Sequence, residues 1–274
     1  MDSPTINQPL KTVELPAQPA TSVDHWVEGC ADPRAEGAIP WATMRNRPLT
    51  LREKQMLRRF YDGAYPVKSE YTSRHPWHQE IARWRIQVAQ AVLGDLGKTL
   101  DAGCAAGELV RIGRESGLNF WGFDLCPDLH EVCYPSIVDK VRIGSLGHVP
   151  FSKADGFKTV VSYDVIEHSP IDELELFPSE LKRLGVEQVA CIISTDTLSE
   201  GHITIQDTGY YKELFGTAGY RLLEEFTESL SHVPGPIGWN SETEQVIWAP
   251  YKLSGLPPNG WNEAPGYLFF RRET

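Results

Sequence analysis

The sequence predicts an α/β fold, a mostly parallel sheet with helices on both faces. Three observations carry this. From residue 98 onward, short apolar runs alternate with stretches of helical periodicity, the pattern of strand–helix–strand crossovers. Several of these runs are apolar at successive residues, as strands covered on both faces are. The chain has 274 residues, 41% of them hydrophobic and 23% charged, so it can bury a full core as one large domain or one domain with extensions.

The elements follow in order. Residues 1–22 hold Pro4, Pro9, Pro16 and Pro19 with few aromatics, and read as a flexible tail. Residues 23–97 read as an N-terminal cap or lid. They contain a helix at 50–61, with Thr50 as N-cap and Glu53 completing a capping box, and a second helix at 76–93. In that second helix Pro76 suits the first turn, and Ile81, Trp84, Val88 and Val92 recur at helical spacing before Gly94 and Gly97. Residues 98–274 form the core. Strands are expected at 98–103, 119–125, 140–145, 157–168, 187–195, 220–228 and 266–273, and helices at 105–116, 171–184 and 208–219. Residues 227–265, with six prolines, form an insertion before the last strand, because they are too long for a simple turn.

Charge and composition exclude several classes. The net charge is −11, but residues 51–90 carry +4 and residues 91–274 carry −13. So acidic a body is a poor partner for a long phosphate track, which disfavours nucleic acid. A solvated helix face accounts for the basic stretch, and a small acidic ligand is the alternative. No window approaches the ~18 unbroken apolar residues of a membrane span, and the first twenty residues lack the pattern of a secretory signal. Five cysteines without a CxxC pair read as free thiols in a reducing cytoplasm. Of eight tryptophans only Trp121 lies in the alternating region before residue 227. The others either pin irregular segments or wall a pocket where cap and insertion meet.

The chemistry-bearing signals begin with Asp101-Ala102-Gly103-Cys104-Ala105-Ala106-Gly107-Glu108, an acidic strand end followed by a glycine turn opening a helix. At the carboxyl ends of such strands ligands bind, and glycines admit them to the backbone. The spacing is GxxxG, not GxGxxG, so the middle glycine that admits a pyrophosphate is missing. Gly122-Phe123-Asp124 ends the next strand. An acid there is placed to accept hydrogen bonds from ribose hydroxyls, with a helix cap as the alternative role.

These residues resemble the class I S-adenosylmethionine-dependent methyltransferases, whose sheet is Rossmann-like and seven-stranded. Residues 100–108 resemble the first motif of that superfamily and Asp124 its ribose-binding acid. Residues 143–151 resemble its adenine-holding segment, 160–168 its fourth, and 201–220 the segment leading to the antiparallel hairpin. The resemblance implies S-adenosylmethionine as cofactor and S-adenosylhomocysteine as product. It implies that Asp101, Ala102, Gly103, Gly107, Asp124, Leu125, Ser145, Leu146 and Tyr163 form the cofactor site. Ser145 stands where the family commonly has Asp or Asn, and Tyr163 would sit beside the transferring methyl.

The segment Val160–His168 places Asp164, Glu167 and His168 at i, i+3 and i+4, on one face if helical, with His202 after the next strand. His168 and His202 are candidate general bases, and ordinary structural histidines are the alternative. Asp164, Glu167, His168 and His202 would hold a divalent metal if one binds, as in the similar RNA 3′-terminal 2′-O-methyltransferases and some quinone-ring O-methyltransferases. Trp77, His78 and Tyr210 are candidate acceptor-binding residues. The expected function is methyl transfer to O or N of a small-molecule acceptor, in the cytoplasm, with a homo-oligomer left open. The alternatives are an RNA 2′-O- or protein methyltransferase, a non-catalytic S-adenosylmethionine-binding protein, and an α/β enzyme using another nucleoside.

Overall fold

A computed structural model describes residues 41–62, 76–197, 201–224, 233–240, 243, 245–251 and 266–273. The expected tail at 1–22, His75 and Trp261 lie outside these residues, as do the side chains of Trp77, Trp239 and Trp248.

Two short helices open the fold, α1 (Trp41–Met44) and α2 (Leu51–Phe60). The capping box forms as expected. Glu53 N–H donates to Thr50 Oγ1 at 3.3 Å, and Thr50 N–H donates to Glu53 Oε2 at 2.8 Å. A long helix α3 (Pro76–Leu93) follows. The sheet is then built from β1 (Lys98–Ala102), β2 (Asn119–Asp124), β3 (Val141–Ile143), β4 (Thr159–Tyr163), β5 (Gln188–Ile193), β6 (Tyr220–Leu222) and, last in the chain, β9 (Gly266–Arg272). Between them lie α4 (Glu108–Glu115), α5 (Leu129–Val132), α6 (Ile171–Leu184) and α7 (Thr208–Thr217).

The strand order is β3-β2-β1-β4-β5-β9-β6. β9 runs antiparallel between β5 and β6, and every other pairing is parallel. The chain reverses direction across the sheet between β1 and β4, so a crevice opens at the carboxyl ends of those strands. Alternate side chains feed two cores. Phe120, Val161 and Ala190 pack with α3 and α4, whereas Leu100, Val160 and Val189 pack with α6 and α7. A third, smaller cluster joins α1 and α2, through Met44, Leu49 and Leu57, to Ile203 in the segment after β5.

Four details differ from the sequence reading. Helix α3, grouped with the cap, packs Trp84, Val88 and Val92 into the first core and is therefore a layer of the main body. Helix α4 starts at Glu108 rather than 105, because Ala105 (φ 46) and Gly107 (φ 82) are left-handed. The expected strand 157–168 ends at Tyr163, because Asp164 turns left-handed (φ 57) and a single 3-10 turn covers Ile166–His168. The insertion contains a hairpin of its own, β7 (Val233–Asn240) and β8 (Gln245–Tyr251), which pairs antiparallel and lies against α3. Its prolines are compatible with a two-stranded ribbon, where each strand has one unpaired edge.

Candidate active site

The glycine turn after β1 is tied to the end of β2. Gly103 and Cys104 N–H donate to Phe123 O at 2.8 and 3.0 Å. Ala105 N–H donates to Asp124 Oδ2 at 2.8 Å, and Cys126 N–H donates to Oδ1 at 2.9 Å. Asp124 thus organises two turns, and each of its oxygens keeps a further lone pair. Gly103 has φ 84, and a Cβ there would stand 2.4 Å from Val165 Cγ2. A Cβ on Gly107 would stand 2.2 Å from Ile137 Cδ1. Both glycines are therefore required by the protein's own packing and backbone.

Above this turn lies a cavity of about 610 Å³. Its floor is Asp101, Gly103, Asp124 and Leu125, its β3 end holds Ser145 and Leu146, and Tyr163 and His168 line the β4 side. Leu57 and Tyr61 of the α2 region and His78, Ile81 and Arg85 of α3 form the roof. Of the residues expected in the site, Ala102, Gly107, Glu167, His202 and Tyr210 do not line this cavity. Tyr210 lies on α7, edge-on to Tyr211 with centroids 5.4 Å apart, so it is a packing residue. His202 lies behind His168. The side chain of Trp77 is outside the described residues. The described tryptophans do not wall the cavity either: Trp41 packs on Phe60, Trp84 on Tyr267 and Trp121 on Phe151.

Three residues that sequence reasoning missed shape the site. Arg85 reaches down from α3 to pair with Asp164, and Tyr163 Oη donates to Arg85 O at 3.4 Å. An arginine inside the apolar stripe of Ile81, Trp84 and Val88 was the available signal. Tyr61 Oη lies 2.8 Å from His168 Nδ1. Glu173 is buried at the β3 end, where an acid in the first turn of α6 reads from sequence as ordinary dipole pairing.

Charge is concentrated here. Burial, reinforced by Asp124, pushes the Asp101 carboxyl up to about 8. Burial also raises Asp124. His168 is pushed down to about 4, mainly by burial and then by His202, so it is neutral at pH 7. Glu167 is fully buried and raised well above the carboxylate range by burial and Asp164. Its Oε1 accepts Ser194 N–H at 2.8 Å, while Oε2 has no partner among the described residues. Glu167, His168 and His202 bring one ligand atom each within 4.8 Å of one another. His202 Nδ1 donates to Asp196 O at 2.6 Å, which leaves its Nε2 as the lone-pair nitrogen. Asp164 is not in this group. Its left-handed backbone puts it outside the 3-10 turn, and its carboxylate is taken by Arg85.

Residues 100–193 match the family described as Methyltransferase domain. They contain the glycine turn, Asp124, Ser145 and the segment ending at His168. Over that stretch, about a third of the chain, the sequence is similar to this methyltransferase family. The fold is shared with magnesium protoporphyrin IX methyltransferase from Synechocystis, solved with bound S-adenosylhomocysteine. That match has a TM-score of 0.53 and 14% identity over 80% of this chain and all of that one. A 1,6-didemethyltoxoflavin-N1-methyltransferase from Burkholderia thailandensis is 15% identical over 77% of this chain and 87% of its own, with a TM-score of 0.46. A protein described as a sarcosine dimethylglycine methyltransferase from Galdieria sulphuraria is 19% identical over 52% of this chain, with a TM-score of 0.42. The match spans 60% of that protein's length. Among curated proteins none matches the sequence significantly.

Proposed function

We propose that the chain transfers the methyl group of S-adenosylmethionine to an oxygen or nitrogen of a small acceptor. The observation that carries this is the cavity itself. A glycine turn tied by Ala105 N–H to Asp124 forms the floor at the switch point of the sheet, and cap residues close it from above. The volume is of the size that holds a small ligand pair. The residues fit the cofactor: Asp124 for the ribose hydroxyls, Ser145 and Leu146 for the base, Asp101 for the α-ammonium and Arg85 for the carboxylate. When bound, the cofactor supplies a sulfonium carbon already activated for transfer. The chain's task is then to align the acceptor and to exclude water. Leu57, Tyr61 and Ile81 provide the dry roof, and Tyr163 and His168 face the reacting end.

A second reading is favoured by the Glu167–His168–His202 corner. An orphaned buried carboxylate oxygen beside two imidazoles, one held neutral, suits a divalent cation. Bound there, a cation would lower the pKa of an acceptor hydroxyl and favour oxygen over nitrogen. Without it, His168 must accept the proton itself. A nitrogen pushed down to about 4 is a weak base for that work.

Calorimetry with S-adenosylhomocysteine, in manganese and in chelator, tests both readings. Binding in both media supports the first. No binding in either refutes it. Transfer of labelled methyl to a catechol, compared with a single-stranded RNA ending in a ribose cis-diol, separates a small acceptor from a nucleic acid.

A further inference from the structure

Ser145 and Glu173 line the β3 end of the cavity, and both are buried. Ser145 Oγ lies 2.8 Å from Glu173 Oε2, and the same oxygen accepts Gly147 N–H at 3.1 Å. Lys54 Nζ of α2 donates to the other oxygen at 3.2 Å. The approach is built into the backbone: a Cβ on Gly147 would stand 2.2 Å from Glu173 Oε2. Facing an amide and an ammonium, the carboxylate only accepts, so it takes the Ser145 proton as well. Ser145 then has only lone pairs to turn toward the cavity. Beside it, Leu146 N–H donates to no atom among the described residues.

An acceptor next to a donor matches the 6-amino group and N1 of adenine. It mismatches a 6-oxo purine, which offers an acceptor and an N–H at those positions. The geometry points to Glu173 as a positioning residue: by holding the Ser145 hydroxyl proton, it makes the cavity select a 6-aminopurine nucleoside. This rests on the cofactor reading above, and it adds a role that neither residue has alone. Lys54 gives the device a link to the cap, because α2 carries the cation that holds the carboxylate.

The test is calorimetry with S-adenosylhomocysteine, its analogue lacking the 6-amino group, and its 6-oxo analogue. The unmodified protein binds the first about tenfold tighter than the second. Ser145→Ala brings that ratio close to one. In Glu173→Ala the hydroxyl turns either way, and rejection of the 6-oxo analogue weakens by about tenfold. Glu173→Gln, whose amide oxygen still accepts from Ser145 and Gly147, keeps the discrimination. A mere packing role for Glu173 would shift all three affinities together and leave the ratios fixed, which would overturn the inference. So would Ser145→Ala with an unchanged ratio, a variant small enough to fold whatever Glu173→Ala does. If the unmodified protein binds S-adenosylhomocysteine and the deamino analogue equally, the cofactor reading stands and this inference falls. If it binds none of the three, both fall.

Discussion

The floor of the cavity and its β4 corner are built in opposite ways. The floor is main chain: a left-handed turn at Gly103, Ala105 and Gly107, stitched to Asp124 by amides 2.8 and 2.9 Å away. The corner is side chain: Tyr61 from the cap, Glu167 and His168 from the turn after β4, and His202 from the segment after β5. A main-chain site needs glycine and an acid at set spacings, so it leaves a trace in the sequence. A side-chain site gathered from distant segments leaves single residues that could each be ordinary. The two also differ in electrostatics. Asp101 in the floor stays protonated until about pH 8, whereas His168 in the corner stays neutral down to about pH 4.

If the floor holds the cofactor and the corner handles the acceptor, variants must separate binding from turnover. The largest expected effect is His168→Ala, which should lower turnover by about a thousandfold while the S-adenosylhomocysteine Kd stays within about twofold. A parallel loss of affinity would erase the distinction between the two regions. Asp124→Ala should weaken S-adenosylhomocysteine about a hundredfold in calorimetry, because two charge-assisted hydrogen bonds go and the Ala105 and Cys126 amides lose their partner. Unchanged affinity would remove Asp124 from the site.

The pH dependence of binding sharpens the contrast. Asp101 is protonated in the free protein below about pH 8, and an incoming ammonium favours its ionised form. Affinity should then rise with pH by up to about tenfold per unit below 8, level off above it, and release a proton on binding. Titrations in buffers of different ionisation enthalpy measure that proton, and Asp101→Asn should abolish both effects. The smallest effect concerns the cap. Thr50→Ala removes the α2 capping box and should cost about 1 kcal/mol in denaturant unfolding. A larger loss of turnover than of stability would show that α2 acts on the site through Tyr61 and Lys54.

The alternation of apolar runs and helical periods was enough to read seven strands, whereas the antiparallel hairpin entered only through the resemblance of residues 201–220. Strand ends were read less well. Asp164 shows why: its carboxylate pairs with Arg85 and its N–H donates to Ile192 O, partners that lie 79 and 28 residues away. The hairpin at β7 and β8 was hidden by its prolines, because a ribbon with free edges tolerates them where a central strand does not. His202 was expected near the sheet edge that carries His168, and the fold brings their ring centroids within 4.6 Å, while Tyr210 lies on α7 against Tyr211.

By itself the amino-acid order determined local matters: the capping box at Thr50, the left-handed glycine turn, and the acid that ends β2. Each depends on neighbours within a few residues or on a spacing set by one crossover. Only the tertiary structure decided that Arg85 would meet Asp164, that Glu173 would take the Ser145 proton, and that Tyr61, Glu167, His168 and His202 would share one corner. Those encounters depend on how helices dock on a twisted sheet, and docking is a property of surfaces assembled from the whole chain.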